Sequence, residues 1–542
     1  MKKRLIVFLF FSLAISMIGF LKGCSWFSSN SDELVYFPYN RPDNLAPILD
    51  INEEAKYLTE LIFDGLVNKT TVDDKGREQY EWALVDKGGY IEEGPEDTRL
   101  VAIYLRKGVM WHDGREFTTE DVIYTWKAIN QSTSPLRDWL NTFIEEILPV
   151  EGSDKNYKFK IKLRVERSRE AFMELFSPVK ILPRKFTYKN KEGDLPFNLN
   201  DGSDLSKDFG WIPVGTGPYK IVKRESDMVL LKPNESEGYQ YYLGQPEIKR
   251  IRMSVEKEPA KAVKALKGSQ RGLLFDVKPE SFDILTGAPL SYQDYFPYNF
   301  YAIVYNTRKA PFNNPIFRKA VNSATNKAEL AQRFIGTGAN KSINTSIFPS
   351  GSMYVQEAPD NFREGNPYDP TRAGAYLNQV GGGERTFRLL VSSAKEGERR
   401  LGEFVVSYKQ MMESVGIKVI VDDLSAPHYD KKITDRDFDA VFMPFSGFDH
   451  LYDIRGLFKV DGKLNIWRVS DNQLVVLLQE FGSTIALDKL NVLAKAIHSR
   501  IEEITPASFL FTPQRRAYFS NKLTNVTVHP EVGFSTVEKW KP

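Results

Sequence analysis

The chain has 542 residues, a formal net charge of +2, one cysteine and five histidines. So small a charge excludes the concentrated basic surface that nucleic-acid binding needs, and one cysteine excludes a disulfide framework or a thiolate metal site. The length suffices for two or three domains with substantial cores, and 13% aromatic residues suit a large enclosed ligand space as well as an ordinary core.

The chain opens with Lys2, Lys3 and Arg4, an apolar run from Leu5 to Leu21, and then Lys22-Gly23-Cys24. A basic start and a short apolar stretch form an export signal, because a spanning helix needs about 20 apolar residues. Leu21-Lys22-Gly23-Cys24 looks like the lipobox of bacterial lipoproteins, with Lys22 standing where a small or aliphatic residue is usual. Residues 1–23 are therefore expected to be a lipoprotein signal peptide, Cys24 the acylated residue, and 24–34 a flexible Ser-rich tether. An uncleaved signal anchor is the alternative, and either outcome ties the protein to a membrane.

Leu100–Leu105 is a short apolar run between Arg99 and Arg106, which predicts a mostly buried strand. Asp113-Gly114 supplies a turn. Thr118 then caps a helix, Asp121 stands at its third position, and Phe117 and Val122 flank the cap as a hydrophobic staple. Val122, Ile123, Trp126 and Ile129 give that helix one apolar face. This strand-turn-helix reads as scaffolding. Further on, the polar stretch 189–207 marks a loop. Gly215-Thr216-Gly217-Pro218-Tyr219-Lys220 lacks the spacing of a phosphate loop and reads as a junction loop whose glycines let backbone approach a ligand or bend sharply.

Asn314 and Pro315 open one helix and Asp369 and Pro370 another, which ends near Gly381. A strand at Thr386–Val391, a helix at 401–415 closed by Gly416, and strands at 417–422 and 438–445 follow. This β-α-β order predicts a parallel crossover in an open α/β sheet. Ligands of such sheets bind outside the carboxyl ends of the strands, which nominates Ser446, Gly447, Phe448 and Asp449. His112, His428, His450, His498 and His529 are scattered without ligand spacing, and no HExxH is present. No metal or other cofactor is expected. The absence of a G-x-S-x-G elbow argues against a hydrolase, and no enzyme activity is expected.

Leu105 to Trp126, LRKGVMWHDGREFTTEDVIYTW, resembles the signature of the bacterial extracellular solute-binding proteins of family 5, the oligopeptide- and dipeptide-binding class that serves ABC importers. That signature runs loosely LR-x-G-V-x-F/W-x-D-G-x-x-F/L-T-A-x-D-V-x-Y/F-S/T, and Thr119 replaces its Ala. The resemblance extends along the chain in order. It includes Asn44-Leu45-Ala46-Pro47, Ile181-Leu182-Pro183-Arg184, Gly215 to Tyr219, Pro311-Phe312-Asn313-Asn314 with Arg318 to Val321, Tyr368-Asp369-Pro370, and Val415-Gly416-Ile417.

The resemblance implies an α/β protein with the two-lobed clam of the type II periplasmic binding proteins and an extra α/β domain in the first lobe. The expected first-lobe core is 35–65 with 200–295 and 505–542. The extra domain is 66–199 and the second lobe 296–504, with crossings near Tyr292–Tyr301 and Ile504. In peptide-binding members a loop acid meets the ligand's α-amino group. Here Gly447 matches, Phe448 replaces a Trp, and Leu451 takes the acid's place between Asp449 and Asp453. The implied ligand contacts are Ser446, Gly447, Phe448, Asp449 and Asp453, with Thr216 and an aromatic wall at Trp467. The implied partners are ABC permease and ATPase subunits, a peptide or similar small solute, and the membrane through the lipid anchor. The expected protein is a monomer in the cell envelope, facing the periplasm or outer surface. A non-peptide solute (sugar, metal chelate or haem-like) and a structural or signalling lipoprotein that has lost import are the alternatives.

Overall fold

The computed structural model describes residues 33–542 apart from 73–77, 93–98, 165–168, 189–190, 236–240, 242–243, 279–280, 298, 337–342, 344–346, 348–366, 397, 446–452, 461, 463, 485–486 and 530–531. Strand β1 (Glu33–Tyr36) starts the first large sheet, and helix α1 (Glu53–Ile62) follows it. The Asn52 side chain accepts the Ala55 N–H and so caps α1. The chain then builds a separate set of smaller sheets. Strands β2 (Val67–Val72) and β3 (Glu78–Trp82) pair with each other. Strands β4 (Val85–Glu92), β5 (Leu100–Leu105), β6 (Ile144–Pro149) and β7 (Lys158–Leu163) form a sheet in the order β4-β5-β7-β6. Helix α2 (Thr119–Gln131) lies between β5 and β6 in the chain, and β8 (Lys185–Tyr188) pairs with β9 (Lys191–Asp194).

The chain returns to the first large sheet with β10 (Tyr219–Glu225), β11 (Met228–Pro233), β12 (Arg250–Ser254), β13 (Gly272–Val277) and β14 (Leu290–Tyr295). A second large sheet holds β15 (Phe300–Tyr305), β16 (Thr386–Val391), β17 (Lys418–Asp423), β18 (Ala440–Phe445) and β19 (Ala507–Phe511) in the order β17-β16-β18-β15-β19. Finally β20 (Arg515–Ser520) completes the first sheet, ordered β10-β11-β12-β1-β13-β20-β14.

In the first sheet β1 lies parallel between β12 and β13, and in the second β16 lies parallel between β17 and β18. Each sheet therefore reverses its strand order beside this parallel strand, β1 or β16, the place where open α/β sheets hold ligands. The parallel β16-β17 pair, with helix α6 (Glu398–Ser414) between them in the chain, agrees with the sequence expectation.

Two segments join the sheets side by side. Tyr295 pairs with Arg515 at the end of the first sheet, and Tyr301 pairs with Phe511 at the start of the second. Residues 296–299 and 512–514 span the gap. The return thus lies after Phe511, not near Ile504 as the sequence suggested, because β19 pairs with β15.

One face of the second sheet packs on α3 (Pro315–Ser323), α4 (Lys327–Phe334), α5 (Pro370–Val380) and α6 through Phe317, Leu330, Leu377 and Phe404. The other face packs on α7 (Asp453–Phe458), α8 (Asn472–Ser483) and α9 (Leu487–Ile504) through Leu457, Leu474 and Ile497. Burial on both faces makes β18 a nearly continuous apolar run, AVFMPF, without alternation.

Candidate functional site

The signature segment makes a junction. His112 sits on the glycine loop: its backbone N–H donates to the Gly215 carbonyl at 2.9 Å, and Nε2 bonds the Gly217 carbonyl at 2.8 Å. The Gly215 N–H meets Nδ1 at 3.3 Å. These partners fit a neutral ring protonated on Nε2, and burial lowers its pKa to about 4. A Cβ on Gly215 would lie 1.8 Å from the Ile62 carbonyl oxygen at the end of α1, so only glycine fits there. Asp121 ties three segments together by accepting the Thr118 N–H at 3.0 Å, the Trp111 indole N–H at 3.3 Å and the Arg184 N–H at 2.8 Å. Each of these contacts is internal, so the signature positions the smaller sheets on α1 and the loop before β10.

The space between the large sheets is lined differently. Glu53 stands at the first position of α1, just after its cap. Asp276, next to last in β13, is in a left-handed conformation, φ +56°. Its carboxylate accepts the Tyr57 hydroxyl at 2.7 Å and the Tyr295 hydroxyl at 2.8 Å, while its backbone N–H donates to the Tyr295 oxygen at 3.0 Å. Tyr36 ends β1, its ring packed 5.1 Å from Phe275 and 5.5 Å from Phe534. It is only 2% exposed. Burial, followed by the Asp276 charge, raises the pKa of Tyr36, Tyr57 and Tyr295 well above the ordinary tyrosine value, so all three stay neutral.

Glu53 is open to solvent, yet its pKa is lifted to about 7, first by desolvation and then by the Asp276 charge, with Arg515 opposing.

On the second sheet, the Tyr301 hydroxyl donates to Glu396 at 2.8 Å, just past the carboxyl end of β16. Desolvation raises the Glu396 pKa, and Tyr301 and Lys278 oppose it. Lys278 directly follows β13, so a lysine of the first sheet acts on a carboxylate of the second. Arg515, at the start of β20, acts in the same way on Glu53, Tyr295 and Tyr301. The two walls therefore face each other across the paired crossing segments.

Of the residues that the sequence nominated, Ser446, Gly447, Phe448 and Asp449 lie outside the described residues, as does Cys24. Asp453 opens α7, and its side chain is likewise outside the description. β18 ends at Phe445 opposite Phe300, at the edge of the sheet where the crossing arrives. Trp467 is fully buried, stacked between Phe445 and Phe458, and its indole N–H donates to the Leu457 carbonyl at 2.8 Å. It supports the end of β18 from within the core and offers no exposed aromatic wall. Thr216 is buried and its hydroxyl donates to Asp64 at 3.1 Å, in a network with Asn68 and Tyr241. The two residues are not brought together. Tyr36, Glu53, Asp276, Tyr301, Glu396 and Arg515 were not singled out from the sequence. Their one signal is position, at strand ends beside the crossings.

Two opposed α/β sheets, joined by paired crossings and with charged walls at their strand ends, define a two-lobed binding protein. Residues 92–453 match the family described as "Bacterial extracellular solute-binding proteins, family 5 Middle". The chain belongs to this family. It is 22% identical over 446 residues to "Heme-binding protein A" of Haemophilus influenzae, covering 78% of this chain and 75% of that protein. It is 20% identical over 473 residues to "Oligopeptide-binding protein AppA" of Bacillus subtilis, covering 81% and 80%. The structure of the oligopeptide-binding protein AppA from Bacillus subtilis in complex with a nonapeptide matches with a TM-score of 0.69 at 16% identity, over 94% of this chain and 98% of the other. The fold is the type II two-lobed fold of the family. Among the described residues no helix is long and apolar enough to cross a membrane.

Proposed function

We propose that this chain captures a peptide or similar small solute between its two large sheets and presents it to the permease and ATPase subunits of an ABC importer. The observation that carries this reading is the pair of facing walls, Glu53-Asp276-Tyr36 and Tyr301-Glu396, with Arg515 at the crossing between them. A solute bound there touches both sheets. It gains contacts when they approach, and so shifts the population toward the closed form. Main-chain hydrogen bonding of an extended peptide gives affinity with tolerance of side chains. Nothing in this sequence of events makes or breaks a bond in the solute.

In this reading the protein acts as a monomer held in the bacterial cell envelope by acyl chains on Cys24. Each buried methylene contributes about 0.8 kcal/mol to such an anchor. The loop 446–449 and Asp453 remain candidates for contact with the solute from the second sheet, since β18 delivers the chain to the crossing edge. A haem-like or chelate solute is the second reading, favoured by the name of the Haemophilus influenzae relative.

Isothermal titration with a peptide mixture, followed by mass spectrometry of the retained ligand, tests the assignment. Retained peptides support it. Binding of haem or a metal chelate with no retained peptide overturns it in favour of the second reading. Radiolabelled palmitate incorporation that is lost in Cys24→Ser tests the anchor, and continued labelling of that variant excludes it.

A further inference from the structure

The two crossings are built unlike the sheets they join. Phe296, Pro297, Asn299 and residues 512–514 belong to no strand. Each crossing carries a proline, Pro297 or Pro513, which has no N–H to give a partner strand. The chain on either side is held firmly. Phe300 packs 5.0 Å from Phe445, and the Phe511 ring lies 5.4 Å from both Tyr301 and Phe334. On the first sheet, Tyr295 pairs with Arg515 and its hydroxyl bonds Asp276. Rotation of one lobe against the other is thus confined to two short segments.

Each crossing also holds one buried polar atom that nothing answers. Thr512 is fully buried, one residue beyond the Phe511–Tyr301 pair, and its hydroxyl has no hydrogen-bond partner among the described residues. Asn299 stands two residues before Tyr301, and its buried Oδ1 likewise has none. A threonine hydroxyl can donate one hydrogen bond and accept two, and an amide oxygen accepts two. Burying such atoms unpaired disfavours the conformation that does so. In the interior of a lobe that cost would have no return. At a pivot, a different setting of the same torsions can pair the atom.

We propose that Thr512 and Asn299 form a polar switch in the hinge, orphaned in this arrangement of the lobes and hydrogen-bonded in a second one that the empty chain favours. This rests on the capture by closure described above and adds what sets the balance between lobe arrangements before a solute arrives. A change in a few backbone torsions of the crossings moves both atoms relative to the sheets on either side. It requires no rearrangement within either lobe. The pair acts on the balance alone, and a solute shifts that same balance through its own contacts.

The test is double electron–electron resonance on the full chain without ligand, with Cys24 replaced and spin labels at Lys264→Cys and Lys418→Cys. Two interlobe distances are expected in the native background, one of them the distance of this structure. Thr512→Val keeps the shape and removes the hydroxyl, so it should raise the population ratio in favour of this structure's distance about fivefold or more. Asn299→Leu should act in the same direction, and Thr512→Ser, which keeps the hydroxyl, should hold the native ratio. A merely structural role would lower the urea midpoint and leave the ratio where it was. An unchanged ratio in folded Thr512→Val, a shift away from this structure's distance, or a native chain that shows this distance alone overturns the switch. Should Thr512→Val not fold, Asn299→Leu decides by the same outcomes. None of these results touches capture by closure, which fails separately if a saturating peptide recovered in the titration above leaves the distances unmoved.

Discussion

The junction around His112, Gly215 and Asp121 and the wall around Glu53 and Asp276 are built on opposite principles. At the junction the polar groups answer one another: both His112 nitrogens have partners and the Asp121 carboxylate takes three donors. At the wall, carboxylates crowd together and one of them titrates near neutrality. A satisfied buried network fixes a fold, whereas crowded charge beside solvent is poised to gain from a guest. The most recognisable stretch of this chain is therefore its scaffold, and its binding chemistry lies among inconspicuous residues.

Substitutions should separate the two regions. Gly215→Ala is expected to have the largest effect. The added methyl meets backbone, not a mobile side chain, and should cost about 3 kcal/mol or more in stability, measured by urea unfolding. Asp121→Ala strands one buried and two partly buried N–H donors and should cost about 2 kcal/mol in the same assay, with the affinity of the folded fraction unchanged. If Asp121→Ala abolished binding without loss of stability, the division between scaffold and site would be wrong. Tyr295→Phe removes both hydroxyl bonds to Asp276, one to its carboxylate and one from its backbone N–H, and should cost about 1–2 kcal/mol.

Acid should act on the junction and the wall with opposite sign. His112 is held neutral by burial, with its pKa lowered to about 4. The unfolded chain takes up that proton more readily, so this stability is fully present above about pH 6.5 and is lost as the pH falls toward 4. His498 shifts in the same direction. Melting temperature should fall across this window, and His112→Asn should flatten the slope while lowering the whole curve. Glu53 behaves in the reverse way. Its folded pKa is raised, so the native state is favoured in acid and loses stability as the pH rises through about 7. Glu53→Gln should accordingly melt slightly higher than the native chain at about pH 8 and no higher at about pH 5. A lower melting temperature for Glu53→Gln at the higher pH would show that the carboxylate supports the fold instead of straining it.

Local chemistry was legible in the sequence wherever one residue's preference decides the outcome. Asn314 caps α3 by accepting the Ile316 N–H at 2.9 Å, and Asp369 caps α5 by accepting the Arg372 N–H at 2.8 Å. Gly381 and Gly416 end α5 and α6 with φ of 72° and 82°, and β16 spans the residues read as a strand. The return crossing was misread because ASFLF is buried throughout and nothing local tells which sheet it joins. Pairing with β15 decides that, more than 200 residues away in the chain. The binding wall was missed for a related reason. Glu53 reads as an ordinary acid in the first turn of a helix, Asp276 as the polar end of an apolar strand, and the tyrosines as core. Only the fold brings strand ends 33–36 and 272–277 beside α1 and the crossing, and so turns these unremarkable residues into one surface.

Closure of the two sheets on a solute is the claim on which the rest depends. With Cys24 replaced, spin labels at Lys264→Cys and Lys418→Cys would report the distance between the lobes by double electron–electron resonance. Addition of a saturating, calorimetrically verified ligand should shift the distribution to a single shorter distance. A ligand that binds to saturation and leaves that distribution unchanged would contradict capture by closure.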